Sequence, residues 1–321
     1  MSFNYRASTY VGAALSLAIA SMGSVAFAAD MPVKAPPPPA APFWLVNQTT
    51  MSYSYVFNAT DPFVGKTDKQ VISVTHFDAW TYGTNFFNID LLKSDLRDPA
   101  SPCGLAGFQA TGCEGATEIY GFFRSTLGWK QLFGLQFGPG PLSNISFAWG
   151  ADANSENNNV APSKRDYVAG LRFDFDLPFG ASFGVSGLYY QEKNHFGVFT
   201  PGPNPPFSVY PGTSYFKSTY RVEYLLNVPL GPKGTPVTFT SLGGINGPKG
   251  AGQEQPYTKT EVFLVQKLTL DVGQVAMNKP NLVSVWAAYT YWQNKFGIDH
   301  TLDPTGGSTE NSVAVGITAA F

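Results

Sequence analysis

The chain has 321 residues, with 33 glycines, 25 prolines, 15% aromatic residues and 13% charged ones, a composition that suits many short strands and turns better than helices. Its formal charge of −2, spread without any basic stripe, argues against a nucleic-acid partner. With three histidines, no metal-spaced His pair, no phosphate loop and no Gly-x-Ser-x-Gly, no cofactor and no catalytic residue are expected.

The N-terminus reads as an export signal. Arg6 precedes an apolar run from Val11 to Ala20, and small residues follow up to Ala26-Phe27-Ala28, an A-x-A cleavage pattern. The run falls short of the roughly 20 apolar residues that a membrane helix needs. Residues 1–28 are therefore expected to be a cleaved signal peptide, and loss of Arg6 makes the remainder more acidic by one charge. Residues 29–43 form a Pro-rich leader, with Ala35-Pro36-Pro37-Pro38-Pro39 in extended polyproline II. Residues 44–321 are expected to form one all-β domain.

Twelve strand-like runs follow. The first, Leu45 to Phe57, sets Met51, Tyr53, Tyr55 and Phe57 against Gln48, Thr50, Ser52 and Ser54, the period of two that a strand with unlike faces requires. The hairpin from Gln70 to Asp95 supplies the second and third. Its second arm alternates cleanly, Phe87, Ile89 and Leu91 against Asn88, Asp90 and Ser94, whereas the facing of the first arm around His76 is ambiguous. Thr117 to Trp129 is the fourth and Ser143 to Asp152 the fifth. In the sixth, Arg165 to Leu177, Tyr167, Ala169, Leu171, Phe173 and Phe175 interleave with Arg172, Asp174 and Asp176. Phe183 to Gln191, Tyr215 to Leu226, Val237 to Leu242, Lys259 to Val272 and Leu282 to Trp292 continue the series, and the twelfth closes at Phe321.

The connections alternate in length. Turns near Tyr82, Pro178, Pro229 and Asn278 are shorter than the segments Asn58 to Lys69, Leu96 to Ala116, Lys193 to Ser214 and Lys295 to Thr309, the habit of outer-membrane barrels. The Lys130 to Leu142 connection is long for its side. Cys103 and Cys113 sit in the second long loop. A local disulfide there would contribute about 3 kcal/mol on a loop-closure account.

Alternation alone does not separate a soluble sandwich from a membrane barrel. Charges at mid-strand on the polar parity, aromatic rings near strand ends on the apolar parity, an even strand count and the export signal favour an all-β transmembrane antiparallel barrel of about twelve strands in the bacterial outer membrane, with lipid as its surroundings. The polar parity then lines the lumen. His76, Asp90, Glu118, Tyr120, Phe122, Arg124, Arg172, Asp174, Arg221, Glu223, Glu261, Lys267 and Trp286 are the candidate pore-lining and substrate-contacting residues. Near-balance of acids and bases argues against strong ion selection, and the aromatic faces suit a flat, polar, neutral solute. Ion-paired filling that stiffens the wall is the competing role for any one of them. Twelve strands leave a narrow slot.

Several segments resemble the nucleoside-specific channel-forming (Tsx-like) outer-membrane proteins: Asp78-Ala79-Trp80-Thr81-Tyr82-Gly83-Thr84-Asn85-Phe86-Phe87 followed by Asp90, Glu118 to Arg124, Leu135-Gln136-Phe137-Gly138-Pro139, and Tyr289-Thr290-Tyr291-Trp292-Gln293-Asn294-Lys295-Phe296-Gly297. The resemblance implies a monomeric twelve-stranded barrel that passes nucleosides through a keyhole-shaped pore. The terminal Phe321 resembles the signal read by the barrel-assembly machinery. A plugged structural or adhesive barrel and an outer-membrane hydrolase, the latter using His195 near Glu192 or His300 near Asp299, stay open as other classes of function.

Overall fold

The computed structural model describes residues 43–62, 65–94, 115–156, 163–201, 207–232, 234–251 and 257–321. The signal-like segment, the leader up to residue 42, Cys103, Cys113 and the side chain of His195 lie outside the described residues.

Around the wall each strand pairs antiparallel with its neighbour. β1 (Trp44–Asp61), β2 (Gly65–Trp80), β3 (Gly83–Ser94), β4 (Thr117–Gly128), β5 (Leu142–Glu156), β6 (Arg165–Asp176) and β7 (Ser182–Pro201) run in order around one half of the wall. β9 (Thr219–Pro229), β10 (Val237–Asn246), β11 (Glu261–Asp271), β12 (Val283–Gln293) and β13 (Thr309–Ala320) complete it. β13 pairs with β1, from Thr50 opposite Ala320 to Phe57 opposite Val313, and this pairing closes the ring. β8 (Phe207–Tyr215) pairs with the far part of β7 and extends it as a hairpin beyond the wall. The result is a closed twelve-stranded transmembrane-type barrel, in which each of the twelve wall strands finds two partners and the wall has no bare edge.

Which residues face outward follows from register. Phe87 stands opposite His76 and Phe123, Ile89 opposite Val74 and Gly121, and Phe87, Ile89, Ile72 and Val74 are all exposed. On the other parity Asn88, Ser146, Asp152, Ser186 and Ser312 are buried. Among the described residues 30 polar or charged side chains are buried against 11 hydrophobic ones. A water-soluble domain of this size would bury mainly apolar groups; this one turns them out, toward lipid.

Aromatic side chains collect where the wall meets the short turns. Phe43, Trp44, Trp80 and Tyr82 form a chain of ring contacts around the β2–β3 turn, and Trp129 packs on Phe133 and Phe147 beside the β4–β5 connection. Tyr and Trp sit well at such a level, with the ring in hydrocarbon and the polar edge in water.

Several expectations change. Asn58 to Lys69 is not a long loop, because β1 runs to Asp61 and β2 starts at Gly65. Asn58, at φ 55°, sits where the β1–β2 register shifts, between Val56 and Ala59. A bulge of this kind re-aims the strand without ending it. The Lys193 to Ser214 segment is largely the β7–β8 hairpin. The strand expected from Tyr215 to Leu226 begins at Thr219, and Phe216, expected on the lipid face, is buried beneath Lys249 Nζ at 4.6 Å. Finally, the long Lys130 to Leu142 connection contains α1 (Trp129–Phe133), ended by Gly134 in the left-handed region at φ 66°, a common stop for a helix.

Candidate functional site: a charged lumen above a polar vestibule

Inward side chains of β4, β5, β6, β7 and β9 meet in one ion-pair lattice. Arg124 Nε and Nη2 donate to the two oxygens of Glu223 at 3.0 and 2.6 Å, and Nη1 donates to Asp152 at 2.5 Å. Arg221 reaches the same two acids, Glu223 at 2.6 Å and Asp152 at 3.6 Å. Three strands separate β4 from β9 along the ring, so Arg124 straps one part of the wall to another from inside. The bidentate guanidinium–carboxylate geometry fixes both side chains.

The lattice has a firm seat. Gly150 lies opposite Arg124, and a Cβ there would come within 2.7 Å of Arg124 Cδ. Arg172 leans over Gly184 in the same manner while donating to Asp174 at 2.7 Å. Beside it Ala148, Val168, Leu188 and Tyr190 form a small buried apolar patch on the inner wall. Phe122 receives Arg124 over its ring at 4.2 Å and meets Phe86 edge-on at 5.4 Å.

Toward the long loops the lattice continues. Tyr190 donates to Glu192 at 2.5 Å, Lys249 pairs with Glu192 at the same separation, and Lys164 pairs with Asp166 at 2.7 Å. Burial by itself lowers the Lys164 pKa, but Asp166 and neighbouring Tyr190 and Glu192 outweigh it and hold the ammonium charged, well above its ordinary value. On the other side of the ring Lys295 pairs with Glu310 at 2.7 Å and Asp61 at 3.6 Å and donates to the Thr60 carbonyl at 2.6 Å. Its pKa is likewise raised, burial being outweighed by Glu310 and Asp61.

At the short-turn end the inner wall changes character. Gln48, Thr50, Ser182, Asn227, Thr238, Thr269, Ser284 and Thr318 surround a cavity of about 180 Å³. Asp271 also lines it, with both carboxylate oxygens occupied, one accepting from Gln274 N at 2.9 Å and the other from Asn281 N at 2.6 Å. That acid caps α2 (Val272–Met277).

Twelve of the thirteen expected lumen residues take the inward parity. Asp90 and Tyr120 are direct register partners. Glu118 accepts from Asn154 at 3.1 Å, and Glu261 accepts from Asn246 at 2.8 Å and from Trp292 Nε1 at 2.7 Å. Lys267 Nζ lies 4.0 Å above the Trp286 ring. His76 is the correction. It stands opposite the exposed Phe87 on the outer face, bonded through Nδ1 to Thr49 at 2.9 Å, with Asp78 at 3.6 Å from Nε2. That outer strip continues through Asn85 to Ser125. His300 bonds Asn294 at 2.8 Å in the β12–β13 connection. Among the described residues no group of His, Cys, Asp and Glu is arranged to hold a metal.

The partners that sequence reading missed are Asp152, Asp166, Glu192, Lys249 and Lys295. Asp152 was findable, since it keeps the parity of Ser146 and Gly150. Lys249 and Lys295 lie outside the strands, where no period marks them.

No family model and no curated protein matches the chain. Solved structures do. The chain is similar to the NanC porin at 9% identity and TM-score 0.43, over 84% of this chain and 98% of that one. It is similar to the KdgM porin at 8% identity and TM-score 0.40, over 85% and 99%, and to the translocator domain of the autotransporter NalP from Neisseria meningitidis at 11% identity and TM-score 0.35, over 86% and 88%.

Proposed function

We propose that this barrel is an outer-membrane channel for passive diffusion of small, flat, polar solutes, with nucleosides as the first class to test. The observation that carries this reading is the inner wall at mid-height. There the Phe86–Phe122 pair, Tyr120 and Trp286 share the inward parity with fixed guanidinium and carboxylate groups. Aromatic faces stack on planar bases, and charged and amide groups hydrogen-bond hydroxyls, each at a few kcal/mol at most, which suits weak, reversible passage. The cavity at the short-turn end, lined mainly by Thr, Ser, Asn and Gln with Asp271 as its one charged residue, makes an entrance below that band.

A second reading, a plugged structural barrel, draws on the Arg124–Glu223 strap and on the buried Lys249 at the long-loop end. Planar-bilayer recording of the purified protein separates the two. Conductance steps that nucleosides block reversibly, together with liposome uptake of nucleosides above sugars and amino acids of similar size, support the channel. A silent bilayer and impermeable liposomes overturn it.

A further inference from the structure

Inside the barrel the cations are not equivalent. Arg124, Arg172 and Arg221 each have a carboxylate oxygen at 2.7 Å or less. No described carboxylate pairs with Lys267, although its residue is 4% exposed; its ammonium instead rests on the Trp286 ring at 4.0 Å. β11, which carries it, lies six strands from β4 and two from β9, the nearest strand of the ion-pair lattice, and no ion pair joins Lys267 to that lattice among the described residues. An ammonium over a ring face exchanges part of its water for a cation–π contact.

The ring is immobilised for this contact. Trp286 lies opposite Gly316, where a Cβ would come within 2.3 Å of the indole, and its Nε1 donates to Thr318 Oγ1 at 3.0 Å. A second unmet group adjoins. Thr269 is the next inward residue along β11, about 7 Å from Lys267 by strand geometry, and stands opposite Trp286. It is 4% exposed, its hydroxyl has no hydrogen-bond partner among the described residues, and it lines the vestibule cavity. Unsatisfied buried donors are rare, and one facing a cavity beside an uncompensated cation is placed to be satisfied by a ligand.

We infer that Lys267 and Thr269, at the head of the vestibule, form a binding site for a small monoanionic carboxylate. One oxygen would accept from Lys267 Nζ and the other from Thr269 Oγ1, with the organic part of the solute in the vestibule. A single ammonium balances a single negative charge, and Asp271, the one charged residue among those that line the vestibule, disfavours a second one. This site goes beyond the passage of neutral solutes and is readable without any current.

The experiment uses benzoate as probe and benzyl alcohol as its neutral counterpart, on the full mature barrel folded in detergent, by calorimetry, and in planar bilayers as block of current. Benzoate is expected to bind and benzyl alcohol to show little or no binding. Lys267→Met is expected to weaken benzoate about tenfold or more, Thr269→Val about fivefold, and Lys267→Arg to retain most of the affinity. Lys267→Met strands no carboxylate, so it folds, as heat-modifiable mobility on a gel would verify. Equal binding of the two probes, or benzoate binding unchanged in Lys267→Met, overturns the site. A barrel that binds benzoate through Lys267 but shows no conductance leaves the site standing and removes the channel.

Discussion

Replacing Arg124 by Met tests whether the ion-pair lattice holds the barrel together from inside. The wild type sets two cations, Arg124 and Arg221, against two anions, Asp152 and Glu223. The substitution leaves one cation for two anions, one of them, Asp152, with a side chain only 1% exposed. Breaking a buried pair while its partner charge remains costs about 3–5 kcal/mol. Arg221 keeps its 2.6 Å contact with Glu223, which places the expected loss near the lower end, about 3 kcal/mol, or roughly 150-fold in the folding equilibrium. Adding Glu223→Gln restores neutrality around Asp152 and Arg221, so the double variant should lose only about 1 kcal/mol. The assay is reversible urea unfolding in lipid vesicles, followed by tryptophan emission and gel mobility. A single variant within about 0.5 kcal/mol of wild type, or a double variant equal to the sum of its singles, would refute the reasoning.

Other perturbations probe other parts of the wall. Gly316→Val places side-chain atoms where the Trp286 ring and the Tyr53 carbonyl already lie, 2.3 and 2.8 Å from the added Cβ; a loss of about 1–3 kcal/mol in unfolding free energy is expected, and none would deny the ring its position. Val315→Lys, on the outer face, should destabilise by about 2–4 kcal/mol if it sits near mid-bilayer, while Ser312→Lys on the inner face tests the opposite side; vesicle-refolding yields distinguish them. The Lys295 pKa lies above the ordinary 10.5, so its pairing with Glu310 and Asp61 stabilises the fold fully below that value and the benefit is lost as pH rises through the higher, folded-state value. Unfolding titrations above pH 10 should therefore show a decline in wild type that Lys295→Met lacks. Phe122→Ala and Tyr120→Ala should weaken nucleoside block, about fivefold or more where a base stacks on the lost ring; unchanged block in both would remove them from the site.

Most of the wall is legible in the sequence because a closed barrel imposes its period on every strand. Tyr167 through Phe175 and Val313 through Ile317 report their facing by simple alternation. Where alternation is broken, reading fails. The arm around His76 mixes Ser73, Thr75 and Phe77 with Ile72 and Val74, and register with β3 settles what pattern does not: Phe77 goes in, opposite Phe86, and His76 goes out. Strand ends fail for a different reason. Polar residues such as Thr67 and Lys69 look like loop but remain paired as strand, because a barrel wall continues beyond the hydrocarbon into water, where the outer face no longer needs to be apolar. The lattice could be read as a set of charges but not as a set of partners. Nothing in the chain says that Arg124 and Glu223, 99 residues apart, meet, since that depends on how the closed wall brings β4 within reach of β9. Nor does spacing reveal that, among the described residues, Lys267 lies over a ring where Arg124, Arg172 and Arg221 have a carboxylate.

The direct test of the inverted faces is cysteine scanning along β13, from Asn311 to Thr318, in a barrel whose Cys103 and Cys113 are replaced by Ser and which is folded into vesicles. Labels at Val313, Val315 and Ile317 should be quenched by brominated lipid, and cysteines at Ala314 and Thr318 should react with small water-soluble thiol reagents and escape that quenching. Uniform quenching along the strand, or quenching at the even positions, would contradict a lumen lined by charge and a wall turned toward lipid.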